Sequence, residues 1–190
     1  MPAELAFNAA SQLREKSQLM SATEIDRTLL RLTHEILERH NGIESLVLVG
    51  VCRRGPALAE RLARKMHAIE KARPPVHQLD ITFYRDDLST ADLRPVAREG
   101  PSAYSVESRD VILVDDVLYT GRTARAALDA LLPHGRPRRV ELCVLIDRGH
   151  RELPIQANYV GRTVTTTDQE VIEVRLQEVD GEEKVILRER

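Results

Sequence analysis

The segment Val111-Ile112-Leu113-Val114-Asp115-Asp116-Val117-Leu118-Tyr119-Thr120-Gly121-Arg122-Thr123 runs four apolar residues into two adjacent carboxylates, then into a turn of two hydroxyls, a glycine and an arginine. A Thr-Gly-Arg-Thr turn that opens a helix presents backbone N–H groups, hydroxyls and the positive end of the helix dipole, a combination suited to a monophosphate. Gly121 lets the main chain approach such an anion closely. Asp115 and Asp116 would repel the phosphate on contact, so they suit groups that donate: sugar hydroxyls, or a magnesium ion held directly or through its waters. Phosphate at one end and hydroxyls at the other describe a ribose 5-phosphate. Taken apart, the halves have plainer uses, since paired Asp residues often close a strand and a Thr-Gly turn often only caps a helix.

Elements on either side must position this turn. Residues 23–40 carry Ile25, Leu29, Leu32 and Ile36 at helical spacing and stop at Asn41-Gly42. Residues 45–51 form a short apolar run that predicts a buried parallel strand. A helix over 55–69 follows, with Pro56 in its first turn and Leu58, Leu62, Met66 and Ile69 on its inner face. Residues 77–83 predict a further strand. The stretch 84–108 is long, polar and irregular, which fits a functional arm or lid better than slack chain. After the central strand, Ala124, Ala127, Leu128 and Leu131 mark the inner face of a helix ended by Pro133-His134-Gly135, and 139–146 reads as another buried strand. The tail alternates in short runs, 171–176 and 183–187, around Asp180-Gly181. Apolar strands alternating with amphipathic helices predict an α/β fold, a mainly parallel sheet with helices on both faces. Ligands of such sheets gather at the carboxyl ends of strands, so 50–55, 115–123 and 147–151 are expected to converge.

The totals agree with one domain of ordinary globular composition. The chain has 190 residues, 42% hydrophobic and 31% charged, with a net charge of −2 that excludes a generic polyanion binder but not a local basic face. Two cysteines, Cys52 and Cys143, argue against a disulfide framework or a cysteine metal site and fit a reducing compartment. The N-terminus lacks the apolar core of a signal peptide and no run reaches the length of a membrane span, so a soluble cytoplasmic protein is expected. Neither Gly-x-x-x-x-Gly-Lys nor Gly-x-Gly-x-x-Gly occurs.

As a whole, 111–123 resembles the 5-phosphoribosyl-1-pyrophosphate (PRPP) signature of the type I phosphoribosyltransferases. With "LVGVCRRG", "LDITFYRDDL" and "DRGHRELPIQANYVGR", in the same order, the chain from about residue 25 to its end is similar to the PyrR family of pyrimidine-operon attenuators that also act as uracil phosphoribosyltransferases. The resemblance implies the type I phosphoribosyltransferase fold with a long flexible arm and a small hood. It implies one domain over 1–190, divided into an N-terminal extension (1–22), the arm (84–108) and the hood with its C-terminal strands (147–190). It implies uracil and PRPP as substrates, UMP and UTP as regulatory nucleotides, Mg2+ as cofactor, and a homodimer or higher homo-oligomer. Arg53, Arg54 and Gly55 fall in the loop that binds pyrophosphate in the family, where members often hold a non-proline cis peptide. Arg85, at the root of the arm, could reach the same group. Asp147 and Arg148 are the candidates for base recognition. His150 is a hydrogen-bonding residue rather than a metal ligand, and Cys52 a small strand residue rather than an activated thiol.

The resemblance further implies binding to the leader of pyrimidine-operon mRNA. Arg31, His34 and Arg39 on the first helix, with Arg151 and Arg162 later, stand where the family has RNA-facing residues, whereas Leu30 and Gln156 depart from the family pattern. Basic side chains position phosphates, and with only 3% aromatic residues arginine planes would have to serve as stacking partners. Two other readings stay open: an RNA-binding nucleotide sensor with vestigial catalysis, and a transferase for another base. Either would keep the same phosphate cradle.

Overall fold

The computed structural model describes residues 13–84 and 104–189. In chain order its elements are β1 (Arg14–Ser21), α1 (Ala22–His40), β2 (Leu46–Val51), α2 (Gly55–Glu70), β3 (Val76–Leu79), β4 (Asp110–Leu118), α3 (Arg122–Leu131), β5 (Arg139–Asp147), β6 (Tyr159–Thr163), β7 (Glu170–Arg175), the one-turn α4 (Gln177–Asp180) and β8 (Lys184–Glu189). Five strands form a wholly parallel sheet in the order β3-β2-β4-β5-β6, and β1-β8-β7 form a separate antiparallel sheet, the hood. The parallel α/β architecture expected from the alternating pattern is the one found.

Strand parity divides the core. In β2, β4 and β5, Leu46, Leu48, Ile112, Val114, Cys143 and Leu145 pack on the face covered by α1 and α2. Their neighbours Val47, Val49, Val111, Leu113, Leu142 and Val144 pack on the face covered by α3. Because successive strand residues point to opposite faces, a sheet sandwiched between helices must be apolar at every position, which is why these strands read as unbroken apolar runs. Hood residues Ile172, Val174, Leu176, Val185 and Leu187 belong to the same apolar cluster as α1 and α2, so the hood is seated on the main core.

Several expectations need correction. β1 lies where an extension was expected; its exposed, charged pattern carries no strand signal, and pairing with β8 makes it a strand. The strand expected over 77–83 stops at Leu79, because the Asp80 carboxylate accepts the Thr82 amide at 2.9 Å and turns the chain into a 3₁₀ turn at Thr82–Tyr84. Ile69 and Leu128 are exposed rather than inward. The buried face of α2 runs through Leu58, Ala59, Leu62, Ala63 and Met66, and that of α3 through Ala124, Ala127, Ala130 and Leu131. Most of the arm, Arg85 included, lies outside the described residues. Where description resumes, Tyr104 is stacked between His77 and His134, with ring centroids 4.0 and 4.1 Å apart. Among the described residues no helix is long and apolar enough to cross a membrane.

Candidate active site

Two helices begin at the carboxyl ends of the central strands, and neither N-cap residue caps through its own side chain. α1, remote from them, has a full capping box: Glu24 N donates to Ser21 Oγ and Ser21 N to Glu24 Oε2. α3 instead starts on Gly121 and α2 on Arg54, neither of which caps through its side chain. The Arg122 amide donates to Thr120 Oγ1 at 3.3 Å, and the lack of a capping box leaves the positive end of the helix dipole facing the site, as an anion cradle requires. Gly121 has φ of +94°, and a Cβ there would lie 3.3 Å from the Leu153 Cβ. Beside it is a cavity of about 240 Å³ bounded by Asp115, Tyr119, Thr120, Gly121, Thr123 and Ala124.

A second loop, residues 52–55, reaches the acidic pair through Arg54. The Cys52–Arg53 peptide is cis, as the resemblance implied. Gly55 opens α2 hard against β4: a Cβ there would stand 2.3 Å from the Val114 carbonyl oxygen, so only glycine brings this helix so close to the central strand. Arg54 projects over the acidic pair with Nη1 3.8 Å from Asp116 Oδ2. Asp115 is nine-tenths buried and Asp116 part-buried, so Asp116 presents the more open carboxylate. Asp115 Oδ1 accepts the Asp116 amide at 2.9 Å, which ties the first carboxylate to the backbone of the second residue. Burial pushes the Cys52 thiol up, so it is no activated nucleophile.

The third convergent segment braces the turn. Arg148 N donates to Leu118 O, and the amides of Glu152 and Leu153 both donate to Thr120 O. Arg151 donates to Tyr119 O at 2.8 Å, Gly149 O at 3.1 Å, Ile155 O at 2.9 Å and Asp147 Oδ2 at 2.5 Å. Arg122 and Glu152 close the outside at 2.7 Å. The side chain of Asp147 is thereby held by Arg151 and the Gly149 amide, and that of Arg148 is buried, bonded to Thr166 Oγ1 and Glu170 O with its guanidinium 3.9 Å from the Tyr119 ring centre. These two side chains, expected at the base, are engaged in supporting the turn, and Arg151, expected to face RNA, is turned inward. Residue types alone could not show this, because apart from the Asp147–Arg151 pair the partners are distant in sequence or on the main chain. His150 hydrogen-bonds Thr166 O at 2.6 Å, the role expected for it.

The other basic residues lie along α1 and β6, the edge strand of the parallel sheet. Arg39 stands 5.6 Å from the Tyr159 ring centre, Arg31 donates to Val160 O and Gly161 O, and Arg162 bonds Leu19 O. His34 is exposed on the same helix. Arg31 also pairs with Glu35, so the face is basic but not purely so.

Comparison with known proteins fits this geometry. Residues 17–178 match the family model described as phosphoribosyl transferase domain. The chain is 56% identical over 176 residues to the bifunctional protein PyrR of Pelotomaculum thermopropionicum, covering 93% of this chain and 97% of that one. It is 53% identical over 178 residues to the PyrR of Thermus thermophilus, covering 94% and 98%. Among solved structures, the hypoxanthine phosphoribosyltransferase of Trypanosoma cruzi superposes with a TM-score of 0.69 at 17% identity, over 93% of this chain and 98% of that one. A hypoxanthine-guanine phosphoribosyltransferase of Bacillus anthracis gives 0.65 at 18%, over 94% and 100%. The solved structures share the fold; the PyrR relatives share about half of the residues over nine-tenths or more of the chain. The chain belongs to the phosphoribosyl transferase family and, within it, to the PyrR proteins.

Proposed function

We infer that the chain is a bifunctional regulator of pyrimidine biosynthesis: it converts uracil and PRPP to UMP and pyrophosphate, and it binds the leader of pyrimidine-operon mRNA in response to uridine nucleotides. The observation that carries this reading is the braced Thr120–Thr123 turn at the end of the strand that bears Asp115 and Asp116, with Arg54 of a neighbouring loop 3.8 Å from Asp116. That arrangement suits a molecule with a phosphate at one end, hydroxyls in the middle and a polyanion at the other. The choice of uracil and of RNA rests on the 49–56% identity to proteins named bifunctional PyrR.

In the transfer, the C1′–O bond to pyrophosphate breaks with its electron pair leaving on oxygen. The C1′–N1 bond to uracil forms, and the N1 proton departs. Positive charge develops on the ribosyl centre, as in glycoside hydrolysis. The 120–123 turn holds the 5-phosphate and so fixes the sugar, while Asp115 and Asp116 accept from its hydroxyls or hold a metal. Arg53 and Arg54 stabilise the departing polyanion. Arg85, with the arm that follows it, is assigned to the same end and to exclusion of water. Tyr119, held by Arg148, borders the base. With Asp147 and Arg148 engaged in bracing, main-chain groups of 147–150 are better suited to read uracil than those side chains.

Magnesium fits the acidic pair. Two adjacent carboxylates offer hard oxygen ligands, and no group of three or more His, Cys, Asp or Glu that could cage an ion exists among the described residues. A site of one or two carboxylates completed by waters and substrate phosphates is the habit of magnesium. Bound there, it would offset charge on the pyrophosphate.

The basic face of α1 and β6, with Arg31, His34, Arg39 and Arg162, is assigned to RNA phosphates, in a cytoplasmic homodimer or larger homo-oligomer. The test is binding of a labelled pyrimidine-leader stem-loop across a salt series, with and without UMP. Tight binding that UMP strengthens, that salt weakens and that His34→Ala or Arg162→Ala reduces is the expected result. Binding no tighter than to a scrambled RNA would leave salvage chemistry alone.

A further inference from the structure

Asp180-Gly181 has the sequence of a simple turn between two strands, yet Asp180 sits against the pyrophosphate loop. Its carboxylate takes Arg54 in a two-pronged pair, Nε to Oδ2 at 3.0 Å and Nη2 to Oδ1 at 2.8 Å. Both side chains are largely shielded, 24% exposed for Arg54 and 17% for Asp180. The carboxylate is itself held: Oδ2 accepts the Leu176 amide at 2.9 Å, and the Asp180 amide donates to Leu176 O at 2.7 Å. Leu176 is fully buried in the core shared by hood and sheet. The carboxylate therefore has a fixed position relative to β4, and it dictates where the guanidinium lies. The remaining nitrogen, Nη1, is the one that stands 3.8 Å from Asp116.

We propose that Asp180 is a positioning residue for the transfer reaction, a hood carboxylate that holds Arg54 over Asp116 with its Nη1 edge toward the pyrophosphate end of the substrate. The proposal rests on the reading of residues 52–55 as the pyrophosphate loop. A free arginine side chain must be ordered before its planar fork can meet a diphosphate, and that loss of freedom weakens binding. Asp180 imposes the order in advance. It occupies Nε and one Nη2 hydrogen, leaving three of the five N–H donors for Asp116 and the anion. It also joins the hood to the leaving-group loop. Arg54 holds the Asp180 carboxyl below its usual range, and Asp180 raises the guanidinium in turn, so the pair stays charged through neutral pH.

The experiment is a double-mutant cycle with Arg54→Ala, Asp180→Ala and the combined variant, with Asp180→Asn as the variant that keeps an acceptor for the Leu176 amide. Steady-state KM for PRPP and for uracil is measured alongside calorimetric binding of magnesium pyrophosphate. Expected is a roughly tenfold rise in KM for PRPP in both Asp180 variants, the size of one charged hydrogen-bonded pair, with KM for uracil unchanged. Asp180→Ala should add nothing further once Arg54 is alanine. Equal rises in both KM values, additive losses in the cycle, or a lower melting temperature with unchanged KM for PRPP would overturn the proposal. Should Arg54→Ala leave pyrophosphate binding intact, the pyrophosphate-loop assignment itself fails. Weakened binding in Arg54→Ala with none in the Asp180 variants would overturn only the role of Asp180.

Discussion

Single residues set the two ends of β4. At its carboxyl end Gly121 turns with φ of +94°. Gly121→Ala forces an L side chain into the left-handed region at a cost of roughly 1–2 kcal/mol, and the shifted amides should raise KM for PRPP about tenfold in steady-state assays. At the amino end Asp110 is buried, accepting from Ser45 Oγ at 2.9 Å and from Arg138 Nε at 2.8 Å, with His40 Nδ1 3.4 Å away. The bonds from Arg138 and Ser45 hold its carboxyl far below the usual range, against burial, which acts the other way. A depressed carboxylate contributes stability that is complete above its unfolded pKa of about 3.9 and is lost as pH falls toward the folded value. Asp110→Asn should therefore cost about 3 kcal/mol at neutral pH and flatten the acid limb of a stability–pH curve measured by urea unfolding. A limb equally steep in the variant would assign acid sensitivity elsewhere.

At the scale of elements, the turn after β4 depends on the segment after β5. Arg151 joins Tyr119, Gly149, Ile155 and Asp147, so Arg151→Ala should lower stability by about 2–3 kcal/mol and raise KM for PRPP, seen in chemical denaturation and kinetics together. An RNA-contact role alone would move neither. This brace marks where sequence reasoning stops. The strand, the acid pair and the uncapped helix start of 111–123 were legible because local pattern and chemistry agree there. The assignment of Arg53, Arg54 and Gly55 to pyrophosphate comes from the resemblance to the PyrR family, since two arginines after an apolar strand have plainer uses. The duties of Arg148 and Asp180 were not legible, because each is defined by partners brought near only by folding, and those of Asp147 and Arg151 depend on a loop conformation that residue types do not dictate. β1 was hidden for the same reason: its strand exists through β8, and its first five residues are exposed and mostly charged.

For the whole molecule, parallel strands with carboxyl ends at one rim gather the three chemical loops, while α1 and the β6 edge carry arginines elsewhere on the surface. The residues proposed for catalysis and those proposed for RNA contact thus fall on different parts of one chain, joined by a core that α1, the sheet and the hood share. Arg39→Ala should weaken leader RNA binding in a filter-retention assay while leaving kcat for the transferase within about twofold, since surface changes away from a site seldom exceed about half a kcal/mol. The fold alone does not choose the base, because the solved structures it matches at 17–18% identity include hypoxanthine enzymes. Base selectivity is therefore the most direct test: PRPP and magnesium offered with uracil, hypoxanthine or guanine, and pyrophosphate release followed for each. Turnover with uracil and its loss in Asp116→Asn is the result that the proposed function requires. Turnover confined to a purine would contradict it.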